Sequence, residues 1–171
     1  MVARQLENQP SVGNIEQPDL GSRSVPATFE RKDTTFTDTF DVGPTGATFR
    51  VPSRGTPTDG VSVQISANSV EQLVKVSIGY STGSVTLKAG TPSGTVLVLK
   101  TTPGVTFRNY VTIGVSFPPN PKYKTLVGYA IDQEGRLRPV DLIDLDMKQG
   151  RVSFLTFQPL MLTWVYIDKV H

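Results

Sequence analysis

Beyond Phe29 the chain alternates apolar and polar residues with a period of two, and this pattern predicts a succession of short strands. Val61-Ser62-Val63-Gln64-Ile65 and Leu73-Val74-Lys75-Val76-Ser77-Ile78 show it most plainly. Strict alternation gives each strand one buried and one wet face, which suits antiparallel sheets packed face to face. The same reading predicts strands over residues 34–40, 47–51, 84–88, 94–100, 110–117, 125–131, 137–146, 151–157 and 161–167. Turn residues separate them. Gly43-Pro44-Thr45-Gly46 and Pro103-Gly104 punctuate the chain, and Pro118-Pro119-Asn120-Pro121 is expected to redirect it between sheets. Asp132-Gln133-Glu134-Gly135 and Met147-Lys148-Gln149-Gly150 end in glycine, which accepts positive φ and predicts bulged hairpins. One helical turn is expected over residues 66–72, capped by Ser66 or Asn68. About ten strands spaced by turns predict an all-β, two-layer antiparallel β-sandwich.

The N-terminal stretch reads differently. Residues 1–28 contain Pro10, Pro18 and Pro26, isolated apolar residues, and neither period. They are expected to form an extended arm or linker, leaving residues 29–171 as the sandwich domain. The arm's anchors on a neighbouring subunit or partner are then Leu6, Val12, Ile15, Leu20 and Val25.

Composition supports the all-β reading. Valine and threonine supply 41 residues and alanine 6, a balance that favours strands over helices. There is no cysteine, and the one histidine is His171, so disulfides, thiol nucleophiles, Ser-His-Asp catalysis and multi-histidine metal sites are excluded. Seventeen Lys and Arg against fifteen Asp and Glu give a net charge of +2, with no basic run longer than Arg31-Lys32. Nucleic-acid binders concentrate their basic residues, so no nucleic-acid partner is expected. The longest apolar stretch, residues 160–167, is far below the roughly 20 residues of a membrane helix. The opening MVARQLENQP lacks the apolar core of a secretory signal. The expected location is extracytoplasmic, periplasm or cell surface, if a signal was removed ahead of Met1, and cytoplasmic otherwise.

Three segments resemble the ZU5 domain, a β-sandwich module of ankyrins, netrin receptors and many bacterial surface proteins. Residues 60–70 look like the family's opening strand and following turn. Val96-Leu97-Val98-Leu99, then Pro103-Gly104-Val105-Thr106-Phe107 and Val111-Thr112-Ile113-Gly114-Val115, are similar to its central signature. Gly150-Arg151-Val152-Ser153-Phe154 leads toward the closing strand, so the likeness spans roughly residues 58 to 167. Tyr110 departs from the family by standing where proline is usual. Some ZU5-containing proteins cut themselves at a His-Phe-Ser tripeptide; the stretch here, Thr156-Phe157-Gln158-Pro159-Leu160, has neither that histidine nor that serine.

Candidate chemistry is sparse. Asp141, Asp144 and Asp146 are the densest carboxylates; clustered carboxylates suit calcium, but alternation in Asp141-Leu142-Ile143-Asp144-Leu145-Asp146 reads as a solvated strand face, so no metal is expected. Phe36 and Phe40 are expected on one strand face. Trp164 and Tyr166 share one face of the last strand and Val165 and Ile167 the other, which makes that strand central and Trp164 a core anchor. No phosphate-cradling glycine loop occurs, and no cofactor is expected. The expected function is a non-enzymatic assembly module acting through protein contacts, as a homo-oligomer or with another protein. The alternative is a module binding carbohydrate or another surface ligand through Tyr123 and Tyr129.

Overall fold

The computed structural model describes residues 28–30, 33–52, 54–86, 89–156 and 160–169. The expected arm, with Leu6, Val12, Ile15, Leu20 and Val25, lies outside the described residues apart from Thr28. The described residues form fourteen strands and no helix. The larger sheet has seven strands. Its order is β11 (Leu137–Val140), β10 (Tyr123–Ile131), β14 (Leu160–Asp168), β8 (Val96–Thr101), β5 (Val74–Ser81) and β2 (Thr34–Val42), with β7 (Thr91–Pro92) also paired to β14. The smaller sheet runs β12 (Leu142–Asp146), β13 (Arg151–Thr156), β9 (Val111–Ser116), β4 (Ser62–Ile65) and β3 (Ala47–Arg50). A separate ribbon pairs β1 (Thr28–Glu30) with β6 (Ser84–Thr86). All pairings are antiparallel, and the two large sheets pack together as a β-sandwich.

Alternation builds the core as the sequence predicts. Val76 and Ile78 of β5, Leu97 and Leu99 of β8, Leu126 of β10, and Leu162 and Trp164 of β14 meet Val63, Ile65, Val111, Ile113, Val152 and Phe154 of the facing sheet. Burying one such aliphatic or aromatic side chain is worth roughly 1.5–3 kcal/mol. Trp164 is indeed a core anchor, its ring centroid 6.0 Å from that of Phe154. β14 is central and buried on both faces, with Val165 wholly inaccessible. Phe107, in the connection between β8 and β9, closes part of the core.

Three local expectations are corrected. The run 137–146 is two strands: β11 belongs to one sheet, β12 to the other, and the chain crosses at Asp141. The local pattern hides this crossing, because Val140 and Leu142, two residues apart on either side of it, bury in the same core. β2 and β3 likewise fall on different sheets, with the Gly43–Gly46 bridge as the corner between them. Both lateral seams of the sandwich are therefore spanned by the chain itself. The expected helical turn at 66–72 is instead an irregular turn. Asn68 takes φ 66° there and its N–H donates to the Pro44 carbonyl at 2.6 Å, a left-handed residue that ends any helix. Finally, Phe36 and Phe40 lie on opposite faces. A register shift between Phe36 and Asp38 inserts one residue, so Phe40 stacks on Phe49 at 4.3 Å while Phe36 points outward.

Both glycine-ended turns are present. Gly150 takes φ 76°, and a Cβ there would collide with the Phe117 carbonyl oxygen. The Phe117 N–H donates to the Gly150 carbonyl at 2.8 Å, which locks this turn to the end of β9.

Candidate binding surfaces

One row on the outer face of the larger sheet is apolar, beside polar rows that include Thr39, Ser77 and Lys100. Strand register aligns Leu137, Ile131, Met161, Val98, Gly79 and Phe36 in one cross-strand row. Phe36, at the β2 edge, is 42% exposed, and the Lys100 ammonium stands 5.7 Å from its ring centroid. One step along β10 and β14, Val127, Tyr129 and Val165 form a satellite cluster with Leu137 and Ile167. Gly90 packs on Val165, and the Phe29 carbonyl of β1 lies beside Gly135 at the tip of the β10–β11 hairpin. The Tyr129 hydroxyl is buried and has no hydrogen-bond partner among the described residues. Burial pushes its pKa up to about 12.

Tyr123 and Tyr129 are not brought together. A bulge between Tyr123 and Thr125 changes the side-chain parity of β10, so Tyr123 turns inward while Tyr129 sits on the outer face. Tyr129 is only 1% exposed and offers no ring face to a ligand. Tyr123 stacks on Tyr166 at 4.9 Å, Tyr166 lies 5.7 Å from Phe117, and the Trp164 Nε1–H donates to the Tyr166 hydroxyl at 3.1 Å. These aromatics plug one end of the sandwich.

Beside that plug lies a groove of about 450 Å³, lined by Pro119, Pro121, Tyr123 and Met147 and rimmed by Lys124, Lys148 and Lys169. A fourth cation, Lys122, stands 5.6 Å from the Tyr123 ring centroid. None of these four lysines forms an ion pair among the described residues. The Lys169 N–H donates to the Lys122 carbonyl at 3.1 Å, which ties two of the contributing segments together. The sequence spreads these lysines over the β9–β10 connection (Lys122), the start of β10 (Lys124), the β12–β13 turn (Lys148) and the residue after β14 (Lys169), and only the fold collects them.

A second concavity, about 560 Å³, lies on the outer face of the smaller sheet. Register aligns Arg50, Ser62, Gly114 and Ser153 in one row across its floor. Gly114 leaves room on this floor, since a Cβ there would push the Ser62 hydroxyl aside. Asp144, at φ 53° in a bulge of β12, and Asp146 border this trough with Arg151. Asp141 does not join them. It stands at the sheet crossing, and burial raises its carboxyl pKa. Asp146 accepts the Lys148 and Gln149 N–H groups at 3.0 and 2.9 Å and so organises the hairpin turn. No group of three or more ligating side chains that could hold a metal ion occurs among the described residues, nor among them is any helix long and apolar enough to cross a membrane.

Fold and surfaces together define a two-layer antiparallel β-sandwich module. No protein-family model matches the chain, and no curated protein matches it.

Proposed function

We propose that this protein is a non-enzymatic assembly module that works through its surfaces, with the N-terminal segment reaching a protein partner, a second copy of the chain first among the candidates. The observation that carries the reading is the apolar row on the outer face of the larger sheet. The chain itself buries the row at Ile131, but the row ends in Phe36, 42% exposed on the edge strand β2, and a sheet edge carrying an exposed apolar side chain is a surface that a partner can cover. β1 stands at the rim of this face, so the preceding residues leave the domain beside it. The proposal includes the ZU5-like reading of residues 58–167. Its support is the two-layer architecture, with Pro103-Gly104 ahead of β9 and Phe107 in the core.

The test is the mass of the full chain in solution by light scattering. Assembly above 18.6 kDa is expected, lost on deleting residues 1–27 and weakened by Phe36→Asp. A mass unchanged by both variants refutes the reading. A second reading, binding of a polyhydroxylated ligand, is favoured by the trough, where Ser62, Ser116 and Ser153 hydroxyls lie between Arg50 and Asp144. Glycan binding that Arg50→Ala abolishes supports it; binding indifferent to that change removes it.

A further inference from the structure

The lysine-rimmed groove has an apolar floor and four cations without carboxylate partners among the described residues, on a chain whose net charge is only +2. Asp168, next to Lys169, is exposed, and Asp146 is engaged by turn N–H groups. The groove therefore presents a strongly positive mouth around an apolar floor. Its complement is a segment with carboxylates directly beside apolar side chains.

The chain contains such a segment. Residues 7–20 carry Glu7, Glu16 and Asp19 and no basic residue, and the pairs Ile15-Glu16 and Asp19-Leu20 set a carboxylate against an apolar side chain. In an extended chain, neighbouring residues point to opposite sides. Ile15 or Leu20 can thus enter the groove while the adjacent carboxylate meets the lysine rim. We propose that the groove receives residues 7–20 of a second copy of this chain, a docking that rests on the assembly reading above.

The groove and β1 stand at opposite ends of the domain. Phe29 lies beside Gly135, beyond the end of β10 marked by Ile131, whereas Tyr123 and Lys124 lie at the opposite end. The eight-residue separation along β10 is about 26 Å at the rise of a β-strand. A neighbour's groove is the proposed receptor, and docking in the chain's own groove would leave a single-chain mass. Such a contact joins unlike surfaces: exchanged reciprocally it closes a two-fold dimer, and passed on in one direction it builds a ring or filament.

The experiment uses two full-length variants, Lys148→Glu with Lys169→Glu, and Glu16→Lys with Asp19→Lys. Each alone opposes like charges at the contact, and mixing them restores opposite charges at both contacts. The proposal expects each variant alone to scatter as a single chain of 18.6 kDa and the equimolar mixture to recover the wild-type mass. It also expects wild-type association to weaken at least tenfold in about 0.5 M salt, because these exposed charges are screened. Circular dichroism should show the wild-type fold in both variants, since the altered lysines are exposed. If removing residues 1–27 dissociates the assembly but either charge variant stays associated, the groove is not the docking site and the assembly reading survives. If both variants dissociate and mixing fails to restore the mass, these lysines and carboxylates do not meet and the proposal is overturned. If the wild-type protein is a single chain at all concentrations, both readings fall.

Discussion

Tyr129→Phe removes one oxygen atom and should make the protein more stable. The Tyr129 ring packs between Val127 and Val165 on the outer face of the larger sheet, and its hydroxyl is buried without a partner among the described residues. A buried hydroxyl that has given up water without gaining a hydrogen bond costs about 1–3 kcal/mol. Phenylalanine keeps the ring contacts and avoids that cost. For a chain of this size each 1 kcal/mol moves the melting temperature by roughly 2–4 °C. The expected gain is therefore about 2–12 °C by calorimetry, where most substitutions lower stability. The alkaline limb supplies a second reading. Because burial raises the hydroxyl's pKa from 10.0 to about 12, the wild type keeps its full stability below pH 10 and loses part of it as pH rises toward 12. The phenylalanine variant lacks this component, so its advantage should widen across that window. A melting temperature equal to or below wild type at neutral pH refutes the reasoning, and would mean that the hydroxyl is hydrogen-bonded.

Four further outcomes are expected. Phe154→Ala, at a wholly buried side chain lying over Gly128 and tilted against Trp164, should cost about 3–5 kcal/mol in chemical denaturation. A loss below about 1 kcal/mol would mean the core does not close around this ring. Gly150→Ala should destabilise by at least 1–2 kcal/mol, roughly the cost of the left-handed backbone alone, because the turn also abuts the Phe117 carbonyl. Asp141→Asn should raise stability at neutral pH and leave it nearly unchanged below the usual carboxylate value of 3.8; burial raises this carboxyl, so its ionisation opposes folding as pH climbs. Asp59 runs the other way. N–H groups of Arg54, Gly55 and Thr56 lower its pKa, so its contribution is present above 3.8 and fades as pH falls through the folded-state value. Asp59→Asn should accordingly flatten the acid limb of a pH–stability curve.

Most strands were legible because alternation is a direct consequence of the pleat: Val74 to Ile78 shows its faces as plainly in the sequence as in the sheet. The sheet crossing at Asp141 was not, since Val140 and Leu142 both face one core and no turn residue intervenes. Pro139 was the available signal, because proline belongs on edge strands, and β11 is an edge. The bulge in β2 was hidden by threonines on both faces, and with it the outward turn of Phe36. The lysine groove lay beyond any local reading. Lys122 and Lys124, Lys148, and Lys169 come from separate stretches of the chain, and their adjacency is set by topology alone. The separation of Tyr123 from Tyr129 was hidden in the same way, because a bulge between Tyr123 and Thr125 turns two residues six apart to opposite faces.

The placement of β14 between β10 and β8 governs how this molecule can come into being. Residues 160–168 follow every other strand of the larger sheet in chain order, yet β14 is the strand that joins the two halves of that sheet. Until it arrives, β8 and β10 each expose a vacant hydrogen-bonding edge, and Trp164 is missing from the interior. Translation must therefore run past residue 168 before the native sheet can close, and a nascent chain stalled short of residue 160 is a natural substrate for chaperones and proteases.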